Sequence, residues 1–432
     1  RPPRSTLFPS TTLFRSQKAA EWVANKLRKL GIENITIFPT KGHPVVYGEY
    51  LKAGENKPTV LVYGHYDVQP AEPLELWRTP AFEPTQVGEN LFGRGASDMK
   101  GQITASLQAI EAIVQTDSIP VNIKFMIEGE EEIGSPNLDT FIRDHAHLLS
   151  CDFTLNPDTG MIAPDVPTIT YGLRGLAYFE LKVFGPSQDL HSGIFGGAVH
   201  NPAQVLCELI AGMHDSQGRI TLPGFYDRVL PLEADERTEL SRLPMNDQWF
   251  QSQTGVPQLY GESGYTSIER VGARPTLEVN GLLSGFTGEG SKTVLPAHAM
   301  AKISMRLVPN QKPDEVHQQL LSYLKENAPD TVHWEVTQMA GGIASITDRN
   351  IPGVKALSQA LEETFGTRPV FRREGGSVPV TAQIQEILGA ESVLTGFGLP
   401  DDNLHAPNEK LHLPTYFRGI EALVRFFAIM GV

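Results

Sequence analysis

Apolar residues recur at helical spacing near the start of the chain. Ala20, Val23, Leu27 and Leu30 share one face, which predicts a helix over 17–30 with Gly31 as its stop. Strands are predicted at 35–38 and 45–50. The run at 59–63 (TVLVY) is short, β-rich and continuously apolar, the pattern of a strand covered on both faces. Ile103, Leu107, Ile110 and Val114 then line one side of a helix over 99–114, and 121–127 reads as a second buried strand. Strand, helix and strand in this order predict an α/β domain with a mainly parallel sheet. The pattern changes near Gly175. Strands at 178–184, 300–307 and 332–336, with helices at 201–214 and 313–326, predict a small inserted α+β unit. Residues 215–285, rich in Gly, Pro and polar side chains, read as irregular. α/β character returns from about 342, with helices at 351–364, 378–388 and 414–430 around a short strand at 393–394. The expected division is 17–174 and 343–432 for the α/β domain and 175–342 for the insertion.

Composition narrows the partners. A chain of 432 residues exceeds a typical single core, in keeping with two domains. A net charge of -14 disfavours nucleic acid and anionic membranes. Two cysteines, Cys151 and Cys207, make no disulfide framework, which points to a reducing compartment and a cytoplasmic protein. No apolar run reaches membrane-spanning length. Residues 1–16 (RPPRSTLFPSTTLFRS) contain no acid, no starting Met and no periodicity, and read as a non-native segment. The native N-terminus is therefore expected to be missing, with any targeting signal it carried.

Several polar clusters follow strands or open helices, where ligands bind in α/β sheets. GHYDVQP (64–70) places His65 and Asp67 two positions apart, on one side of extended backbone. They suit a metal ligand and its orienting carboxylate, or a polar turn facing water. In GRGASDMKG (93–101), Asp98 precedes the 99–114 helix, and by itself reads as an N-cap. EGEEEIGS (128–135) packs Glu128, Glu130, Glu131 and Glu132 into five residues, either an exposed acidic loop or a cation site. Asp158 in LNPDTG and His405 in DDNLHAPNEK are surface residues or further ligands. Taken together, His65, Asp98, Glu132, Asp158 and His405 offer two imidazoles and three carboxylates. That set suits zinc, or manganese or cobalt, and a shared carboxylate holds two ions about 3.5–4 Å apart in two-metal hydrolases.

The motifs HYDVQP, GRGASDMKGQ, EGEEEIGS, DLHSGIFGG, REGGSVPV and HAPNEK, in this order over residues 17–430, resemble the co-catalytic zinc peptidases. That family includes carnosine dipeptidases, aminoacylases, glutamate carboxypeptidases and succinyl-diaminopimelate desuccinylase, and the carnosine-dipeptidase branch is the most similar. The resemblance implies a catalytic α/β domain with an inserted ferredoxin-like α+β domain that mediates dimerisation and closes over the site. It implies two divalent ions per subunit, with Asp98 bridging them before a cis peptide bond, His65 and Asp158 completing one site, and Glu132 and His405 the other. Glu131, the first of the Glu-Glu pair before Ile-Gly-Ser, resembles the general base, and Asp67 the carboxylate supporting His65. His191 in DLHSG resembles a histidine that reaches the partner subunit's site and stabilises the oxyanion. Arg306 in SMRLVP resembles the residue binding the substrate carboxylate, and Thr293, Gly376 and Ser377 match substrate-contacting positions.

The function implied is metal-dependent hydrolysis of a dipeptide or similar short peptide by a homodimer. An N-acyl-amino-acid amidohydrolase, using the same metals and base, is the alternative. A non-catalytic paralogue is the third reading, although one would be expected to have lost a ligand or the base.

Overall fold

The computed structural model describes residues 9–376 and 379–432. The chain divides into two compact units. The first holds the residues up to Tyr171, Thr347–Arg372 and Val380–Val432, and the second holds Gly172–Ile346 and Arg373–Pro379. The REGGS segment thus clusters with the second unit, although the sequence pattern assigned it to the returning α/β part.

In the first unit four strands run parallel at the centre of a sheet, in the order Asn122–Glu128, Thr59–His65, Phe153–Asn156 and Glu391–Leu394. Val45–Tyr50 and Glu33–Phe38 extend one side antiparallel, and Thr168–Leu173 joins antiparallel on the other at Thr170. The mainly parallel sheet expected from the sequence is confined to this centre. Every residue of Asn122–Glu128 is buried, as are all but the first of Thr59–His65, because helices cover both faces. The helices Lys100–Thr116 and Pro352–Phe365 both pack against the closing helix Leu413–Met430. The first helix runs over Pro9–Lys29, beginning well before the expected residue 17. Among the described residues no helix is long and apolar enough to cross a membrane.

The second unit contains a four-stranded antiparallel sheet in the order Thr276–Ser284, His298–Leu307, Gly175–Phe184, His333–Gly342. The helices Pro202–Gly212 and Pro313–Asn327 pack on it, which completes a ferredoxin-like βαββαβ arrangement. Gly175–Phe184 alternates strictly, with Ala177, Phe179, Leu181 and Val183 inward beside Ala301, Ile303 and Met305, so one face of the sheet forms the core. Residues 215–285 are more ordered than their composition predicts. They hold the helices Ala234–Ser241, Asp247–Thr254 and Ser267–Ala273 and the strand Thr276–Ser284. The helices are too short to establish a periodicity. The strand lies at the sheet edge with only Leu277 buried, which erases its alternation.

Candidate metal centre

Parallel strands end on the same side of a sheet, and their carboxyl ends therefore converge. His65 is the last residue of its strand, Glu131 and Glu132 follow Asn122–Glu128, and Asp158 follows Phe153–Asn156. Asp98 comes from the loop before the helix Lys100–Thr116. It is not the N-cap: Met99 holds that position, and no side chain caps the helix. The Asp98–Met99 peptide bond is cis. The short strand Lys410–His412 pairs with Asn90–Phe92, which brings the loop carrying His405 alongside the loop carrying Asp98.

All five residues meet. His65 Nε2 lies 3.1 Å from Asp98 Oδ1 and 3.9 Å from Asp158 Oδ2. His405 Nε2 lies 2.9 Å from Asp98 Oδ2 and 3.3 Å from Glu132 Oε2. Two groups result, His65–Asp98–Asp158 and Asp98–Glu132–His405, each with its donor atoms within 4.8 Å of one another. Asp98 belongs to both, one oxygen toward each imidazole.

The neighbouring groups hold this arrangement. Asp67 Oδ1 sits 3.2 Å from His65 Nδ1, while Asp67 Oδ2 accepts from Glu132 N–H at 3.0 Å. Gln69 donates its backbone N–H to Glu132 Oε1 and its side-chain amide to Glu132 Oε2. Glu131 Oε2 lies 4.0 Å from His65 Nε2. The other acids of the run turn elsewhere: Glu128 accepts from the Tyr63 and Ser135 hydroxyls, and Glu130 from Asn137 Nδ2. Both are buried, so the exposed acidic loop is not what forms.

Electrostatics mark the same spot. Burial, reinforced by the surrounding carboxylates, pushes Asp158 up to about 8 and Glu131 up to about 6, and it raises Glu132 as well. Burial favours neutral His65, yet hydrogen bonds to Asp67 and Asp98 hold its pKa well above the ordinary value. The bond to Asp98 raises His405 too. Burial works against ionised Asp98, but the two imidazoles bring its carboxyl below the ordinary range. Four acids at close quarters strain one another, and a cation is the physical remedy. Nitrogen and oxygen donors in this number fit divalent metal ions.

One residue with a structural part in the site escaped the sequence reading. Glu409, fully buried, accepts from Arg94 Nη1 at 2.7 Å and from the backbone N–H groups of Gly95, Ser97 and Asp98. It therefore clamps the loop that presents Asp98. Its only signal was its place in HAPNEK, four residues after His405.

The remaining candidates belong to the second unit. His191 ends the short strand Leu190–His191, paired with Val294–Leu295, and Thr293 O accepts from Ser192 N–H. His191 and Thr293 are thus neighbours, both exposed. Arg306 is half-buried in the strand opposite Leu176, and Gly376 is exposed. Ser377 lies outside the described residues.

Over residues 61–428 the chain matches Peptidase family M20/M25/M40. The chain belongs to this family. It is a hydrolase of peptide bonds. This peptidase is 34% identical over 397 residues to the Beta-Ala-His dipeptidase of Homo sapiens, covering 90% of this chain and 78% of the relative. It is also 34% identical over 387 residues to the Cys-Gly metallodipeptidase of Schizosaccharomyces pombe, covering 88% and 81%. Among solved structures, an M20 family metallo-carboxypeptidase from Sulfolobus solfataricus superposes with a TM-score of 0.82 at 33% identity, covering 96% of this chain and 94% of that one.

Proposed function

We propose that this peptidase is a metal-dependent dipeptidase. In this reading His65, Asp98 and Asp158 hold one divalent ion, and Asp98, Glu132 and His405 hold a second. The observation that carries it is the pair of three-residue groups sharing Asp98, with the Glu131 carboxylate beside them. The donor set suits zinc, with manganese or cobalt as alternatives. Ions bound there supply Lewis acidity toward a carbonyl oxygen and lower the pKa of water.

The chain's own residues do the rest. Asp67 orients the His65 ring so that Nε2 faces the centre. Glu131 accepts the proton of the attacking water and returns it to the leaving amine. Its separation from Glu130, which is tied to Asn137, supports this choice within the acidic run. Arg306 takes the substrate carboxylate through its planar fork, with Thr293, Gly376 and Ser377 as further substrate contacts. Relatives named for Beta-Ala-His and Cys-Gly support two-residue substrates.

His191 acts in this reading from one subunit of a homodimer on the site of its partner, donating to the oxyanion. Gly193 N–H donates to His191 Nδ1 at 3.0 Å, so the neutral ring keeps its proton on Nε2 and offers a donor there. Beside it Ile194 is 71% exposed, and the edge strand carries exposed Leu282 and Leu283, apolar surface that a second copy would cover. Cys151 and Cys207 are free thiols, in keeping with a cytoplasmic location.

The test pairs a variant with a substrate panel. Glu131→Gln is expected to lower turnover by about 10²–10⁴-fold while two metal ions per chain persist by elemental analysis. A strong chelator should abolish dipeptide hydrolysis, and added divalent ions should restore it. Hydrolysis indifferent to the chelator would sink the metal reading. Preference for N-acetyl or N-succinyl amino acids over dipeptides would replace the dipeptidase with the amidohydrolase.

A further inference from the structure

The second unit carries an open cavity of about 710 Å³ whose wall is unusually basic for a chain of net charge -14. Arg174, Arg270, Arg274 and Arg306 line it against only two carboxylates, Glu262 and Glu278. Two of these guanidinium groups have evident structural work. Arg274 forms a two-pronged pair with Glu262 at 2.7 and 2.8 Å, and Arg270 donates to the carbonyls of Glu262 and Tyr260.

Arg174 differs. It is only 9% exposed, and its Nε is sealed from solvent with no hydrogen-bond partner among the described residues. Its Nη1 reaches the Arg274 carbonyl only at 3.5 Å. A buried guanidinium with an unmet donor is costly unless something else completes it. Its neighbourhood makes the cost higher. The strand register sets Arg306 opposite Leu176, two residues along from Arg174. Burial, with the Arg306 charge adding to it and Glu278 offsetting part, brings Arg174 down to about 10. Room has also been left for this side chain. A Cβ on Gly375 would stand 2.8 Å from Arg174 Nη2, so the first glycine of the Gly375–Gly376 pair lets the guanidinium lie against the loop.

We propose that Arg174 is a second carboxylate-recognising guanidinium, forming with Arg306 an anion pocket in this cavity that takes the C-terminal carboxylate of the peptide substrate. The inference rests on the peptidase reading for its ligand but assigns a residue that reading does not use. A planar anion placed between the two forks gives the Arg174 charge a partner and removes the repulsion between like charges. It also makes a free C-terminus a condition of tight binding.

The experiment measures binding apart from turnover. Metal-free protein, which does not hydrolyse in the proposed mechanism, is titrated calorimetrically with β-alanyl-histidine and with the same dipeptide as its C-terminal amide. Wild type is expected to favour the acid by at least about tenfold. Arg174→Met, which leaves Arg306 in place, should reduce that preference several-fold, and Arg174→Lys, which keeps the charge without the fork, should restore part of it. With the metal-loaded enzyme, Arg174→Met should raise KM for free-carboxylate dipeptides by about tenfold and change kcat little. Equal binding of acid and amide by wild type overturns the proposal, whether or not the variants fold. An Arg174→Met protein that keeps the wild-type acid-to-amide ratio overturns it too. Loss of dipeptide hydrolysis in the wild-type enzyme would instead count against the peptidase reading, and the calorimetric ratio would still decide the role of Arg174.

Discussion

Glu409 touches no proposed ligand side chain, yet four donors converge on its carboxylate from the loop that carries Asp98. Replacing it with Gln keeps the shape but turns an amide N–H toward donors that need an acceptor. It also strands the Arg94 charge in a buried place. Removing one partner of a buried ion pair costs about 3–5 kcal/mol. Glu409→Gln is therefore expected to lower unfolding stability by that order and to weaken metal binding, read by denaturant titration and by competition with a chelator. Unchanged metal affinity would show that Asp98 does not depend on this clamp. The same contrast between neighbours separates the acidic run. Glu128, pushed up to about 7 by burial, is bound to Tyr63 and Ser135 and faces away from the centre, whereas Glu131 and Glu132 face it. As residue types these acids look alike, and in the sequence only the motif ending Ile-Gly-Ser singles out Glu131 and Glu132. The strand end and the turn at Gly134, in the left-handed region, sort them.

At the scale of elements, the helix Lys100–Thr116 must start close beneath the loop holding Asp98. Gly101 makes that possible: a Cβ there would lie 2.1 Å from the Ala96 carbonyl and 2.8 Å from a Leu411 methyl. Gly to Ala within a helix ordinarily stabilises by about 0.5–1 kcal/mol. Here the backbone oxygen has no rotamer to yield, and the sign reverses. Gly101→Ala should destabilise by more than about 1 kcal/mol and loosen metal binding, measured by thermal denaturation with and without divalent ions. A stabilised variant would contradict the close approach.

The elements legible in the sequence were those with a face or both faces buried. The helix read at 99–114 is Lys100–Thr116, and the strand read at 59–63 is Thr59–His65. The segment 215–285 was opaque because its helices span only one or two turns and its strand exposes most of both sides. Hydrophobic periodicity records burial, so an element that buries little leaves little trace.

At the scale of the whole molecule, the proposed homodimer makes each site a composite of two chains. Mixing tests this directly. Glu131→Gln protomers lack the base but carry His191, and His191→Ala protomers lack the oxyanion donor but carry the base. Random exchange makes half of the dimers mixed, each with one intact site of two, so about a quarter of wild-type activity should return from two nearly inactive proteins. No recovery after subunit exchange, with dimers confirmed by light scattering, would place His191 outside its partner's site.

The sequence by itself determined the chemical inventory: two imidazoles and a set of carboxylates, nearly all at a strand end or helix start, in motifs that resemble one peptidase family. It determined the buried strands too, because continuous apolar runs have few alternatives. Only the tertiary structure brought these groups within reach of one another, put Met99 rather than Asp98 at the start of the helix, and showed Glu409 buried among four donors and Arg174 buried with a bare Nε. The physical reason is distance along the chain. His65, Asp98 and His405 lie hundreds of residues apart at the extremes, and nothing local encodes their meeting. The side-by-side order of the parallel strands brings His65 to Glu131, Glu132 and Asp158, and the pairing of Lys410–His412 with Asn90–Phe92 brings the His405 loop to the Asp98 loop, and both are properties of the folded chain.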